Sequence, residues 1–177
     1  DVVPLHDENR NFVREGLVQL SRGARCGIRA LKQVAGVTRD CTAETIAFKL
    51  APRINAAGRL DDAMLGVRLL TTDNPAEAQQ LADRLEQLNR ERQRIEVDIM
   101  AEALASLKDQ EVPPAIILAS RHWHLGVVGI VAARLVDGLV PAYVMMSVGV
   151  ATGGGSGAGR AARARAIRAG FLGNGTK

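Results

Sequence analysis

Two arginines, an amide and two carboxylates lie within one short stretch of this chain. Residues 51–62 read Ala-Pro-Arg-Ile-Asn-Ala-Ala-Gly-Arg-Leu-Asp-Asp. A guanidinium group suits phosphate because its planar fork donates two parallel hydrogen bonds and stays charged at physiological pH. We therefore expect Arg53 and Arg59 to bind phosphate, with Asn55 positioning a sugar or phosphate oxygen. The alternative is structural: Arg59 pairs with Asp61 or Asp62, and Arg53 caps a helix end.

A second candidate site follows a predicted strand and opens a predicted helix. Residues 122–130 read His-Trp-His-Leu-Gly-Val-Val-Gly-Ile. Gly126 and Gly129 permit close backbone approach, and the first turn of a helix offers free N–H groups to an anion. His124 would donate to a phosphate or a developing negative charge, or alternatively bond within the turn. Trp123 is expected in the core or as a lid, and His122 and His124 lack a third ligand for a metal.

The net charge of +4 is unevenly distributed. Residues 151–177 contain five basic residues and no acid, which leaves 18 Lys and Arg against 19 Asp and Glu in residues 1–150. The basic character therefore gives no information about the folded part. A hydrophobic content of 47% is enough for a core, which Leu, Val, Ile and Ala must fill because aromatics make up 3%.

Cys26 and Cys41 are not spaced as a zinc site or a disulfide framework, so we expect two reduced thiols. No apolar stretch reaches the roughly 18 residues that span a bilayer, and the N-terminus shows no signal-peptide pattern. We predict a cytoplasmic protein, monomeric and without a membrane partner.

The predicted fold class is α/β, with a mostly helical first part. The predicted helices cover residues 10–22, 26–34, a stretch through 46–50, and about 61–70. Gly36 ends the second helix, and Thr42 or Thr45 caps the third. Pro52 is expected to interrupt or turn that third helix.

One long helix is predicted to begin at Asp73-Asn74-Pro75, a capping side chain followed by proline. No Gly or Pro follows until about Leu107, which gives roughly 33 residues or about 50 Å. Its Glu/Arg-rich face is expected to be solvated or to line a cleft between two lobes.

A β-α-β unit with a partly parallel sheet is predicted beyond this helix. Its strands are residues 115–119 and 142–146, and its helix is residues 127–139. From residue 151 the chain is rich in Gly, Ala and Arg without a hydrophobic period, which indicates a disordered tail. The predicted divisions are residues 1–73, 74–107, 108–150 and 151–177.

Three segments together resemble the RecJ family, single-stranded-DNA-specific exonucleases of the DHH phosphoesterase superfamily. They read Asp-Val-Val-Pro-Leu at 1–5, Pro-Arg-Ile-Asn-Ala-Ala-Gly-Arg-Leu-Asp at 52–61 and Trp-His-x-Gly-Val-Val-Gly-Ile-Val-Ala-x-Arg-Leu at 123–135. The resemblance covers residues 1 to about 148. It implies that residues 1–73 end a DHH catalytic lobe, that residues 74–107 connect two lobes, and that residues 108–150 begin the DHH-associated lobe.

The resemblance also implies a reaction, namely hydrolysis of single-stranded DNA from a 5′ end in recombination and repair. Two divalent ions, manganese or magnesium, would activate the water. Asp1 matches one family metal ligand, and most of the others precede this chain. We therefore expect a fragment that binds DNA but alone neither binds the metals nor cleaves. Arg59, with Arg53 and Asn55 nearby, would contact phosphate near the scissile end, and His124 would face the same cleft as a candidate catalytic residue.

The next family motif, Gly-Ser-Gly-Arg-Ser, binds the 5′-terminal phosphate. Its nearest match here is Gly-Ala-Gly-Arg-Ala at 157–161, which makes Arg160 a candidate phosphate ligand, and the stretch from Arg165 is a rival alignment. Because both serines are alanine and the tail resembles an out-of-frame reading, we expect a truncated or frameshifted gene fragment.

Two other functions fit parts of the pattern. One is a phosphoesterase of small nucleotides from the same superfamily, and the other is a non-catalytic nucleic-acid-binding or scaffold protein. The long helix and the run at 52–59 favour the RecJ family.

Overall fold

The computed structural model describes residues 4–108, 115–138, 142–147 and 167–168. The chain divides into two compact units, Asp1–Arg92 and Gln93–Lys177. The division falls inside the long helix, so both units include part of an element that the sequence treats as a separate connecting segment.

The first unit is helical. It contains α1 (Asp7–Arg22), α2 (Cys26–Val34), α3 (Ala43–Thr45), a π-helical segment (Ile46–Leu50), α4 (Ala51–Leu60), α5 (Met64–Thr71) and the start of α6 (Pro75–Leu107). The predicted bounds of α2 are confirmed. Gly36 has a φ of 63°, and the next backbone N–H, that of Val37, donates to the carbonyl of Lys32 at 2.9 Å. This left-handed residue closes the helix end because glycine adopts positive φ without a steric penalty.

Pro52 does not interrupt the chain's helical path, so that prediction is wrong. Helical structure runs from Ala43 through Leu60, and Thr42 caps its start by accepting the N–H of Thr45 at 3.1 Å. Proline has no N–H and its ring crowds the carbonyl four residues earlier in an α-helix. The wider π-helical turn just before α4 changes that pairing, since the N–H of Ala51 bonds to the carbonyl of Ile46. Pro52 then occupies the first turn of α4, where proline is tolerated.

The core of the first unit is aliphatic. Its buried members include Leu31, Leu50, Ala56, Ala57, Leu69, Leu85 and Leu88. Helices α2 and α5 touch through their backbones, because a Cβ placed on Gly27 would lie 1.8 Å from the carbonyl oxygen of Leu69. Only glycine fits at this crossing.

Helix α6 confirms the predicted long helix. Asn74 caps it by accepting the N–H groups of Ala76 and Glu77 at 2.9 and 3.3 Å. Its polar residues are not all solvated, because Asn89, Arg92 and Glu96 are buried. Of the two expectations for the Glu/Arg-rich face, solvation does not hold at these three positions, and the lining of a cleft stays a prediction.

The second unit contains the predicted β-α-β arrangement. Strands β1 (Ala115–Ser120) and β2 (Ala142–Ser147) are parallel, with Ala115 opposite Ala142, and α7 (Leu125–Gly138) lies between them in sequence. The α/β fold class is confirmed. A short strand β3 (Ile167–Arg168) pairs antiparallel with β2. For these two residues the structure differs from the predicted tail without regular structure.

Candidate nucleic-acid interface

The arginine-rich run, residues 51–62, includes helix α4, and its two arginines lie on different sides of that helix. Ala56 and Ala57 are fully buried, so the two small side chains seat the helix against the core. Asn55, Gly58 and Arg59 are exposed. Residues four apart are neighbours on a helix surface, so the amide of Asn55 and the guanidinium of Arg59 share one solvent-facing side. We call this the Asn55–Arg59 face.

Arg53 is held on another side of α4. Its Nε lies 2.6 Å from Oε2 of Glu86 on α6, and both side chains are 15% exposed. Its Nη1 donates to the carbonyl of Lys49 at 2.5 Å. Glu86 also pairs with Nε of Arg90 at 2.7 Å. The structural alternative for Arg53 was a cap at a helix end, but it pairs instead with Glu86 and with a carbonyl inside continuous helical structure. Its role toward phosphate stays a prediction.

The two acids that end the run have structural partners. Arg84 Nη2 donates to Oδ2 of Asp61 at 2.5 Å, and the Asp62 N–H donates to Oδ1 of Asp61 at 2.9 Å. These hydrogen bonds, that of Arg84 first, lower the pKa of the Asp61 carboxyl below its ordinary value. Oδ1 of Asp62 accepts the N–H of Met64 at 2.9 Å, at the start of α5. The acids thus help to set the turn after α4.

Glu86 and Arg84 on α6 are the site-forming residues that sequence reasoning missed. The sequence places both only within the Glu/Arg-rich long helix. Their contacts to α4 depend on tertiary placement, which no local pattern encodes. The available hint was the Glu86–Arg90 spacing of four residues, which predicts an ion pair within α6 but not the contact to Arg53.

His124 caps α7. Its carbonyl accepts the N–H groups of Val127 at 2.9 Å and Val128 at 3.1 Å, and its Nδ1 accepts the Gly126 N–H at 3.1 Å. The prediction of free N–H groups at this helix start is therefore wrong for residues 126–128, because His124 itself satisfies them. A neutral ring that accepts at Nδ1 carries its proton on Nε2. The exposed side chain of His124 can therefore donate from Nε2.

Two carboxylates of α6 hold the start and middle of α7. Trp123 is 6% exposed, as expected for a core residue, and its Nε1 donates to Oε2 of Glu102 at 2.5 Å. Arg134 Nη1 lies 2.5 Å from Oε1 of the buried Glu96.

The other two predicted ligands, Asp1 and Arg160, lie outside the described residues. Within the described ranges, no group of three or more His, Cys, Asp or Glu side chains is placed to hold a metal ion. The described helices also include none that is long and apolar enough to cross a membrane.

Three curated relatives align with most of this chain at about 40% identity. The single-stranded-DNA-specific exonuclease RecJ of Bacillus subtilis is 39% identical over 165 residues, or 92% of this chain. RecJ of Thermus thermophilus is 40% identical over 152 residues, or 86% of the chain. RecJ of Escherichia coli is 42% identical over 144 residues, or 76% of the chain. The chain belongs to the RecJ family. It spans 21%, 22% and 25% of the length of these three RecJ proteins.

Solved RecJ structures share the fold. RecJ of Thermus thermophilus in complex with Mn²⁺ aligns with a TM-score of 0.76 at 38% identity, covering 83% of this chain and 22% of that one. A RecJ exonuclease bound to manganese aligns with a TM-score of 0.72 at 36% identity, covering 86% of this chain and 40% of that one. No protein-family model matches the chain.

Proposed function

We propose that this chain supplies a single-stranded-DNA-binding surface of a RecJ-type exonuclease, and that the Asn55–Arg59 face contacts the DNA backbone. The observation that carries the proposal is the separation of the two arginines on α4. Arg53 is 15% exposed and pairs with Glu86, whereas the side chains of Arg59 and Asn55 are exposed on another side of the helix. The RecJ relatives are single-stranded-DNA-specific exonucleases, and the proposed substrate class, single-stranded DNA, follows from them.

The chemistry of the face suits a phosphodiester. The guanidinium of Arg59 can donate two parallel hydrogen bonds to non-bridging phosphate oxygens. The side-chain amide of Asn55, one turn away, can donate to a neighbouring phosphate or sugar oxygen. The buried Ala56–Ala57 pair fixes α4 against the core, so the donors project from a rigid element rather than a loop.

In the second unit we propose His124 as a further donor to the DNA backbone. The ring accepts the Gly126 N–H through Nδ1, which leaves Nε2 of this exposed side chain as the nitrogen that can donate to a ligand. That Arg160 binds the 5′-terminal phosphate, and that Arg59 and His124 contact the same strand, also stay predictions.

The RecJ of Thermus thermophilus has been solved with Mn²⁺ and with Mg²⁺. The described residues of this chain do not form a fitting donor set, since they offer no cluster of carboxylate, imidazole or thiol side chains. Asp1 is the candidate ligand, and we propose that hydrolysis needs further ligands than those described. This chain alone is therefore expected to bind DNA without hydrolysing it.

The finer parts of the function follow from the family. We propose that the complete enzyme degrades single strands from the 5′ end in recombination and repair, in the cytoplasm, and that the chain is monomeric. A phosphoesterase of small nucleotides is the alternative within the superfamily. The single-strand specificity of the RecJ relatives favours a strand over a mononucleotide as the ligand.

The proposal is tested by fluorescence anisotropy of a labelled single-stranded oligonucleotide titrated with this chain. Loss of charge-assisted hydrogen bonds of about 1.5–3 kcal/mol predicts that Arg59→Ala weakens binding by roughly 10- to 100-fold. Asn55→Ala should weaken it less, because its donor is uncharged. The matched control is Arg14→Ala on α1, where the side chain is 70% exposed and pairs with its neighbour Glu15.

Equal affinities for the wild type and Arg59→Ala would contradict the proposal. Displacement of the oligonucleotide by a mononucleotide at similar concentration would instead support the small-nucleotide phosphoesterase. Circular dichroism of each variant shows whether the fold is intact.

A further inference from the structure

Phe48, in the π-helical segment, is 75% exposed. Its ring lines a cavity of about 270 Å³, which is also lined by Thr42, Glu44, Thr45 and Lys49. The volume lies just below the range of about 300–1,000 Å³ that holds drug-sized ligands, so it suits a smaller group. A single exposed apolar side chain is ordinary in a folded protein. This one is notable for its surroundings.

Phe48 lies on the same helical run as the Asn55–Arg59 face. It precedes Asn55 by seven residues and Arg59 by eleven, which are spacings of about two and three turns. All three side chains are exposed. At about 1.5 Å per residue, and less across the wider π-helical turn, Phe48 lies within roughly 10 Å of Asn55 and roughly 16 Å of Arg59 along the helix axis. A few nucleotides of an extended strand cover this distance.

We propose that the Phe48 cavity binds a nucleobase of the DNA strand whose backbone contacts the Asn55–Arg59 face, with the base stacked on the Phe48 ring. The inference rests on the proposed function and adds a base-binding subsite to it. Stacking on aromatic side chains is how proteins hold single strands without reading their sequence, because every base presents a π face.

The charges around the cavity favour a base over a phosphate. Lys49 contributes one positive charge and Glu44 one negative charge, so the lining is neutral overall. A second phosphate would meet the Glu44 carboxylate and be repelled, whereas an uncharged base would not. A base can also donate an N–H to Glu44.

The hydroxyl groups of the lining are already engaged. Oγ1 of Thr42 lies 3.0 Å from Oγ1 of Thr45 and accepts the Thr45 N–H at 3.1 Å. These bonds belong to the helix cap and would persist on binding. The lining groups that lie outside this cap are the Phe48 ring and the opposite charges of Glu44 and Lys49. A π-helical turn at this position is consistent with a ligand site, since such turns recur at functional sites.

The test is a double-mutant cycle between the protein and the oligonucleotide. Stacking worth about 1–3 kcal/mol per base predicts that Phe48→Ala weakens single-strand binding by roughly 5- to 100-fold. A single abasic nucleotide, moved along the oligonucleotide, should weaken wild-type binding most at one position. At that position it should have no further effect on Phe48→Ala.

Matched variants separate stacking from burial of apolar surface and from charge. Phe48→Trp should retain affinity, because indole offers a stacking face. Phe48→Leu, which is apolar but not aromatic, should lose most of it. The slope of log affinity against log salt should be unchanged in Phe48→Ala, since no phosphate contact is removed. An exposed side chain can be truncated without loss of the fold, and thermal unfolding of each variant checks this.

The outcomes distinguish the inference from the function on which it rests. Additive effects of Phe48→Ala and the abasic nucleotide would overturn the base site while leaving the Arg59 contact intact. A change in self-association of Phe48→Ala by analytical ultracentrifugation, with unchanged DNA affinity, would overturn it in favour of a second copy of the chain on this ring. Absence of any single-strand binding by the wild type would overturn both proposals.

Discussion

Replacement of Arg53 by alanine should destabilise the first unit without removing a phosphate contact. Arg53 and Glu86 are each 15% exposed, and Arg53 also donates to the Lys49 carbonyl at 2.5 Å. The lost hydrogen bond from a charged donor is worth about 1.5–3 kcal/mol. Removing one partner of a buried ion pair costs about 3–5 kcal/mol. Glu86 keeps Arg90 at 2.7 Å, so the cost here should be smaller.

We expect a loss of about 2–3 kcal/mol in the free energy of unfolding of Arg53→Ala. For a compact unit of this size, that corresponds to a fall in Tm of roughly 10–20 °C. Circular dichroism during thermal and urea unfolding measures both quantities. Arg53→Lys should fall between the wild type and Arg53→Ala, because lysine keeps the charge but lacks the planar fork. Arg14→Ala should show no measurable change, since an exposed pair contributes about 0–1 kcal/mol.

This experiment can refute the claim that Arg53 is structural whereas Arg59 binds phosphate. Unchanged stability of Arg53→Ala, together with weaker DNA binding, would show that Arg53 is a phosphate ligand and that its ion pair contributes little. A stability loss in Arg59→Ala as large as that in Arg53→Ala would show that Arg59 is the structural residue.

Three further predictions concern single contacts. Gly27→Ala should destabilise the fold by about 3 kcal/mol or more, measured by urea unfolding, because its Cβ would lie 1.8 Å from a backbone oxygen of α5. Asp61→Asn should lower Tm at pH 7, because it removes the charged acceptor of Arg84. Arg84 lowers the pKa of Asp61 below 3.8 in the fold, so the stabilisation by the ionised carboxylate is present above pH 3.8 and is lost as pH falls through the folded pKa. A Tm difference from wild type that persisted in acid would contradict this role of Asp61. Glu102→Ala should lower the free energy of unfolding by about 1–2 kcal/mol and shift the fluorescence of Trp123, whose N–H donates to that carboxylate. Glu102→Gln should have a smaller effect. Identical spectra of Glu102→Ala and wild type would contradict this contact.

Long periodic elements could be predicted from the sequence. Helix α2 has the predicted bounds, α6 runs from Pro75 to Leu107, and β1 and β2 are parallel strands on either side of α7 in sequence. Apolar periodicity and capping side chains decide such elements locally. Predicting such elements requires no information about tertiary contacts.

The helical nature of the arginine-rich run was missed because Pro52 normally ends a helix. A π-helical turn depends on hydrogen bonds five residues apart, and no residue pattern signals it. Once the run is known to be helical, periodicity alone separates its arginines. Arg53 and Arg59 lie roughly 120° apart around the helix axis at about 100° per residue, whereas Asn55 and Arg59 lie roughly 40° apart. The backbone of α4, rather than the residue types, thus distinguishes the structural arginine from the exposed one.

Whether the first N–H groups of α7 are available to a ligand also depends on the local geometry. A histidine before a helix can either leave the first N–H groups to a ligand or satisfy them. His124 satisfies three, two through its carbonyl and one through Nδ1. What it retains for a ligand is a side-chain donor, so the predicted imidazole contact remains and the predicted backbone contact at residues 126–128 does not.

The salt dependence of single-strand affinity tests the central claim most directly, because each phosphate contact contributes about 0.7 to the slope of log affinity against log salt for single strands. We predict that Arg59→Ala makes this slope shallower by about 0.7. Arg53→Ala, measured below its unfolding temperature, should keep the wild-type slope. A wild-type slope in Arg59→Ala, or a shallower slope in Arg53→Ala, would contradict it.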